Sequence, residues 1–213
     1  MFSEEMWREL REQGVPRRFR ARTVMLRQGG AGTHVLALVD GLAKVLCHER
    51  DGSVTWLAFR GPGDLLGEVS VFNGTARTAD VVALSPCTAT VIEAERFRRF
   101  VDRRGLAMAL MQQAQARQRE SDLYRSELLT LPLVVRLARS LLRLSELAAP
   151  DGSSPTLSLT GLTQEEIAQV IGVTRNSAGS GLRLLREAGA LETARRVVVI
   201  KNLGTLRRWA AMS

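Results

Sequence analysis

Between Arg18 and about Glu95 the chain alternates short apolar runs with turn residues. HVLALVDG, AKVLCHERDG, VTWLAFRGPGD and DVVALSPCTATVIEA follow one another at intervals of about ten residues. Gly-Gly, Asp-Gly and Pro-Gly pairs stand at the breaks, and Asp51-Gly52 is a tight-turn dipeptide between two of the runs. This pattern predicts a small β-sandwich or barrel. From Glu95 the period changes. Residues 96–129 hold no Pro and only one Gly, Gly105, and their Ala, Leu, Gln, Glu and Arg predict a short helix followed by a long one from about Leu106. Leu106, Leu110, Ala114, Tyr124 and Leu128 make a narrow apolar stripe, broken by the polar AQARQRESD. A long helix with so thin a seam is expected to be a dimer contact. Pro132 ends or kinks it near Thr130. VVRLARSLLRLSELA beyond it is a strongly amphipathic helix, and APDGSSP reads as a loop.

Residues 163–188, TQEEIAQVIGVTRNSAGSGLRLLREA, carry the most specific pattern in the chain. Thr163 with Glu166 forms a capping box for a short helix whose Ile167, Val170 and Ile171 point inward. Gly172 supplies the positive φ of a tight turn. Thr174 caps a second helix that buries Ala178, Leu182 and Leu185. Two helices joined so closely form a helix-turn-helix, the second being the reader. Arg175, Asn176, Ser177 and Ser180 point outward. Arg offers a bidentate contact to guanine and Asn one to adenine, while the Thr174 and Ser177 hydroxyls suit phosphates. After Gly189, LETARRVVVIKN reads as a β-hairpin wing that brings Arg195, Arg196 and Lys201 toward a nucleic-acid backbone. Gly179 and Gly181 weaken the reader helix, each by roughly 1 kcal/mol relative to Ala.

The fold class expected is therefore α+β: an N-terminal β-sandwich or jelly-roll over residues 1–103, a dimerisation helix and hinge over 104–131, and a winged helix-turn-helix over 132–213. Charge adds to this picture. Lys+Arg outnumber Asp+Glu by 30 to 22, a formal net charge of +8, and a basic surface gains free energy by releasing the counterions of a polyanion. An apolar share of 45% suffices for a core. No run of 18 uncharged apolar residues occurs, so no membrane span is expected. MFSEEMWREL at the start lacks the apolar region of a secretory signal, and the expected location is cytoplasmic. Cys47 and Cys87 are too few for a disulfide framework or a four-thiolate cluster. His34 and His48 are the only histidines, and Cys47-His48, as strand neighbours, point to opposite faces. No metal site is expected, and no His/carboxylate cluster supports a hydrolytic enzyme.

Residues 63–82, GDLLGEVSVFNGTARTADVV, hold the candidate ligand chemistry. A Gly-Glu pair is followed nine residues later by Arg77-Thr78. Backbone amides around Gly67 and Glu68, the Arg77 guanidinium and the Thr78 hydroxyl can converge on a phosphate. Glu68 would repel that phosphate and needs another partner, such as a sugar hydroxyl. From spacing alone, an ordinary sandwich loop with solvated Glu and Arg accounts for the same residues.

Over nearly its whole length the chain resembles the cyclic AMP receptor/Fnr family of bacterial transcription regulators. Sandwich, long helix, hinge and the TQEEIAQVIGVTRNSAG reader occur in that order, and GEVSVFNGTARTA looks like the family's phosphate-binding cassette. The resemblance implies a cyclic-nucleotide-binding domain in which Gly67, Glu68, Val69, Arg77 and Thr78 form the cassette. Glu68 would accept the ribose 2′-OH, while Arg77 and Thr78 would hold the cyclic phosphate. Aligned on Leu131, it places Ser121 and Asp122 against the purine. The implied effector is cyclic AMP, with cyclic GMP, a cyclic dinucleotide, haem or no ligand as alternatives. The implied partners are double-stranded DNA, a second copy of the chain as a homodimer, and RNA polymerase. An iron–sulfur effector would need an N-terminal cysteine group that this sequence lacks, and haem would find axial ligands only in Cys47, His48 and His34. The reader departs from the family pattern of Arg, Glu and a second Arg: those positions resemble Arg175, Asn176 and Ser180.

Overall fold

The computed structural model describes residues 3–149 and 157–212, so the loop expected over residues 149–155 lies almost wholly outside the described residues. The first helix, α1 (Glu4–Glu12), starts at Ser3, whose hydroxyl accepts from the Met6 amide. Next come β1 (Val15–Phe19), β2 (Val24–Leu26), β3 (His34–Asp40), β4 (Ala43–His48), β5 (Val54–Arg60) and β6 (Leu65–Leu66). They are followed by α2 (Glu68–Asn73), β7 (Asp80–Ala83), β8 (Cys87–Glu93) and α3 (Ala94–Arg104). The strands form two antiparallel sheets, ordered β1-β8-β3-β6 and β2-β7-β4-β5. The Asp51-Gly52 turn joins β4 to β5 as expected.

The near-continuous apolar run of β3 has a direct cause, since both faces of that strand are covered. Leu36 and Leu38 face the second sheet and pack with Leu26, Ala43, Val81 and Ala83. Val35 and Ala37 face the helices and pack with Leu10, Phe97, Phe100 and Leu106. Phe97 and Phe100 expose almost nothing, and burying each contributes about 2–3 kcal/mol.

The chain continues as α4 (Ala107–Thr130), α5 (Leu133–Ala148), β9 (Leu157–Thr160), α6 (Gln164–Val170), α7 (Arg175–Glu187), β10 (Leu191–Ala194), β11 (Val197–Ile200) and α8 (Leu203–Ala210). Contacts divide the molecule between Asp122 and Leu123 into two compact units, and α4 runs across that division. This changes the reading of its apolar stripe. Leu106 and Leu110 are buried in the N-terminal core, and Tyr124 is buried in the C-terminal unit with its hydroxyl 3.2 Å from Ser140 Oγ. The large apolar side chains that α4 leaves exposed are Met108, Met111, Leu123 and Leu129, and Ala114 of the stripe is exposed as well. The thin seam is thin because its best residues belong to two separate cores.

Helix α4 ends at Thr130 and Pro132 caps α5. The corner between them is cross-braced. Glu127 accepts from Arg139 at 3.1 Å and from Arg143 at 2.5 Å, Arg136 Nη1 donates to the Leu128 carbonyl at 3.1 Å, and Arg143 lies 4.8 Å from the Tyr124 ring centroid. In the C-terminal unit α5 packs on α7 and α8. The wing is a three-stranded sheet, β10-β11-β9, rather than the hairpin alone. Its third strand, LSLT, is too short to stand out as an alternating pattern.

Candidate effector cavity and nucleic-acid interface

In the N-terminal unit a cavity of about 200 Å³ opens between the start of α2, the loop before β7 and the middle of α4. Gly67, Glu68, Val69, Arg77 and Thr78 all line it, so the structure brings the five cassette residues together. Arg77 is only 6% exposed. Its Nη2 donates to the His34 carbonyl at 2.7 Å, and its Nη1 is buried with no hydrogen-bond partner. An unsatisfied charged donor in a low-dielectric site costs several kcal/mol unless something accepts from it. Gly67 makes room for this guanidinium: its φ is +81°, and a Cβ there would fall on Arg77 Nη1. Burial lowers the basicity of Arg77 and the nearby Glu68 opposes that shift, but a guanidinium keeps its charge regardless. Burial first, then the charges of Arg77 and Arg17, pull the His34 imidazole below its usual value.

Glu68 is buried at the opening of α2, a helix the sequence reading did not anticipate. It is engaged by Arg117 of α4, whose Nη1 reaches Glu68 Oε1 at 2.5 Å. The same guanidinium bonds Asp64 at 3.0 Å and the Leu65 carbonyl at 2.8 Å. Arg60, also in the wall, pairs with Glu120 of α4 at 3.1 Å. Arg117 and Arg60 were missed from sequence because their partners lie 49–60 residues away. The one available signal was the polar break AQARQRESD, which is where α4 faces the cavity. Ser121 and Asp122 lie beyond Arg117 on the same helix and outside the cavity lining, and Asp122 accepts from Gln118 on the surface at 3.1 Å. Val69 is 43% exposed.

In the C-terminal unit the predicted caps are in place. Thr163 and Glu166 form the reciprocal capping box of α6, and Thr174 accepts from the Ser177 amide at the start of α7. The Thr174 and Ser177 hydroxyls lie 2.9 Å apart, so each is already a partner of the other. Arg175, Asn176 and Ser180 are exposed. Asn176 and Ser180 lie opposite the buried Ala178, Gly181, Leu182 and Leu185, while Arg175 stands on the flank of the first turn. Arg195 and Arg196 make the two-residue turn between β10 and β11, and Arg196 holds a φ of +62°. Arg175, Arg195 and Arg196 line one groove of about 450 Å³ together with Gln164, which sequence reasoning did not single out. Lys201 stands apart from that groove and lies 3.6 Å from Glu192.

Among the described residues no helix is long and apolar enough to cross a membrane. No group of three or more His, Cys, Asp or Glu there could hold a metal.

Comparison with known proteins gives the two units their relatives. Residues 16–104 match the cyclic nucleotide-binding domain family and residues 135–209 the Crp-like helix-turn-helix domain family. A CRP-like cAMP-activated global transcriptional regulator of Mycobacterium tuberculosis is 25% identical over 184 residues, 86% of this chain and 82% of that protein. The cAMP-activated global transcriptional regulator CRP of Pasteurella multocida is 25% identical over 189 residues, 86% of this chain and 88% of that one. Among solved structures, the c-di-GMP-responsive global regulator CLP of Xanthomonas campestris aligns with a TM-score of 0.72 at 21% identity, over 93% of this chain and 99% of that one. That last likeness is one of fold. The paired domain matches, in the order seen in these regulators and carried on the fold described above, establish that the chain belongs to the cyclic AMP receptor/Fnr family of DNA-binding transcriptional regulators.

Proposed function

We propose that the chain acts in the cytoplasm as a homodimer on near-palindromic double-stranded DNA, under the control of a cyclic mononucleotide, cyclic AMP before cyclic GMP. Thr174, Arg175, Asn176, Ser177 and Ser180 of α7, with Arg195, Arg196 and Lys201 of the wing, form the DNA surface. RNA polymerase is the protein such a regulator addresses. The observation that carries the effector reading is Arg77, a buried cation with one orphaned N–H beside a glycine that leaves it room. A cyclic phosphate supplies a single diester charge and an acceptor for that N–H, with Thr78 as a second donor. The ribose 2′-OH then competes with Arg117 for Glu68, which links the occupied cavity to α4. Such a ligand shifts the DNA-binding state only through different affinity for the two arrangements. Ser121 and Asp122 are the proposed purine contacts.

A second reading, a regulator that needs no ligand, rests on the same pair: Glu68 already has its partner in Arg117. Calorimetric titration of the full chain with cyclic AMP, cyclic GMP and cyclic di-GMP, repeated on Arg77→Ala, decides between them. Micromolar binding of a mononucleotide, lost at least tenfold in the variant, supports the first reading. Absence of heat from all three, with unchanged DNA binding when they are added, supports the second.

A further inference from the structure

The outward face of α7 is uneven. At 3.6 residues per turn, Asn176, Ser180 and Arg183 lie opposite the buried Ala178, Leu182 and Leu185, and Gly179 lies on the flank beside them. Arg175 shares the azimuth of Leu182 and is exposed because it stands in the first turn. The first turn presents Arg175 and Asn176. The second presents Gly179, which has no side chain, and Ser180, which has a single hydroxyl. The third presents Arg183, whose charge lies 4.0 Å from Glu187 one turn on. Gly179 is not there for packing. Nothing lies within 4 Å of the place its Cβ would take, whereas a Cβ at Gly181 would meet Leu133 Cδ2 at 2.6 Å. The fold requires the second glycine and not the first, so the gap in the reading face belongs to the surface and not to the core.

We propose that α7 specifies each DNA half-site through its first turn alone, Arg175 and Asn176, and leaves the base pairs opposite Gly179 and Ser180 unread. This rests on α7 being the reader helix. Arg and Asn both make bidentate contacts, to guanine and to adenine, that no other base reproduces. A serine hydroxyl donates and accepts and so bonds to several base edges alike. Asn176 and Ser180 are four residues apart, about 6 Å along the helix, which is roughly two base-pair steps at 3.4 Å each. The half-site therefore carries an adjacent guanine and adenine contact followed by a degenerate stretch.

The test is selection by the full-length protein from duplexes randomised across a half-site, at fixed salt, for wild type, Arg175→Ala, Ser180→Ala, Ser180→Arg and Ser180→Gln. Wild type should select two adjacent base pairs. Ser180→Ala, which loses a contact made to several bases alike, should weaken binding to all duplexes together and leave the ranking among bases as it was. Ser180→Arg should add a guanine preference of about tenfold or more roughly two base pairs away, the size of one bidentate contact, and Ser180→Gln an adenine preference there. Residue 180 is exposed, so both long side chains are accommodated, and two different bases gained at one position exclude a folding artefact. Loss of a specified base pair in Ser180→Ala, or no gain in either long variant, overturns the proposal. An unchanged selected sequence in Arg175→Ala instead removes α7 as the reader.

Discussion

A Cβ at residue 67 would fall on the Arg77 guanidinium and come to 2.9 Å from Leu26 Cδ1, and the backbone there sits at a φ of +81°. Gly67→Ala therefore has two effects of different size. The left-handed backbone costs about 1–2 kcal/mol of stability, readable as a modest fall in the chemical denaturation midpoint. Displacement of Arg77 removes the proposed phosphate contact, so the nucleotide affinity proposed above should fall at least tenfold in calorimetry while the pocket keeps every charge it had. The two reader-helix glycines separate in the opposite way. Alanine at either position gains about 1 kcal/mol of helix propensity, but at 181 the new methyl must push aside Leu133 Cδ2 and Leu137 Cδ2, at 2.6 and 3.1 Å. Urea denaturation should show Gly179→Ala more stable than the parent, and Gly181→Ala less stable than Gly179→Ala by about 1–3 kcal/mol. From sequence the two glycines were indistinguishable, because what differs is α5, a helix more than thirty residues earlier in the chain.

Among the elements, the brace between the end of α4 and α5 has a titratable reporter. Burial, partly offset by the Ser140 hydrogen bond and the Arg143 charge, pushes the Tyr124 phenol up to about 12, above an unfolded value of about 10. A group raised in the folded state lends stability that is complete below its unfolded pKa and is lost as pH rises through its folded pKa. The C-terminal unit should therefore lose stability between about pH 10 and pH 12, by at most about 3 kcal/mol, and Tyr124→Phe should remove that part of the loss. Tyr124 is the chain's only tyrosine, so phenolate absorbance follows it alone. Elements were legible where their cause is local. Thr163 and Glu166 announce α6 because a capping box closes within three residues, whereas the spacing of Arg77 from Glu68 left a solvated loop equally open and only the resemblance of the cassette singled Arg77 out. The helix α2 was hidden because its sequence, EVSVFN, is β-prone and only six residues long. Arg117 was hidden because one arginine on a polar helix face looks like any other until the sheet residues it bonds are placed beside it.

For the whole molecule, self-association is the property most open to measurement. The α4 side chains expected to meet a second copy are those its own chain does not cover, Met108, Met111, Leu123 and Leu129, rather than the Leu106, Leu110 and Tyr124 of the sequence stripe. In a two-fold interface each change is met by itself across the axis, so Met111→Glu with Leu123→Glu places like charges in opposition. Sedimentation should show the wild type as a dimer and the double variant as a monomer with unchanged circular dichroism. An unaltered dimer would move the interface off α4. The wing tip sets a different balance. Arg196 holds a left-handed backbone that Asn or Gly adopts at less cost, in a turn whose two side chains are both arginine. Arg196→Asn should raise the unfolding midpoint by the equivalent of about 0.5–1 kcal/mol, while weakening DNA binding and lowering its logarithmic salt slope by about one. A screen for thermal tolerance would then select against the wing, and the most heat-stable descendants of this protein would be its poorest repressors or activators.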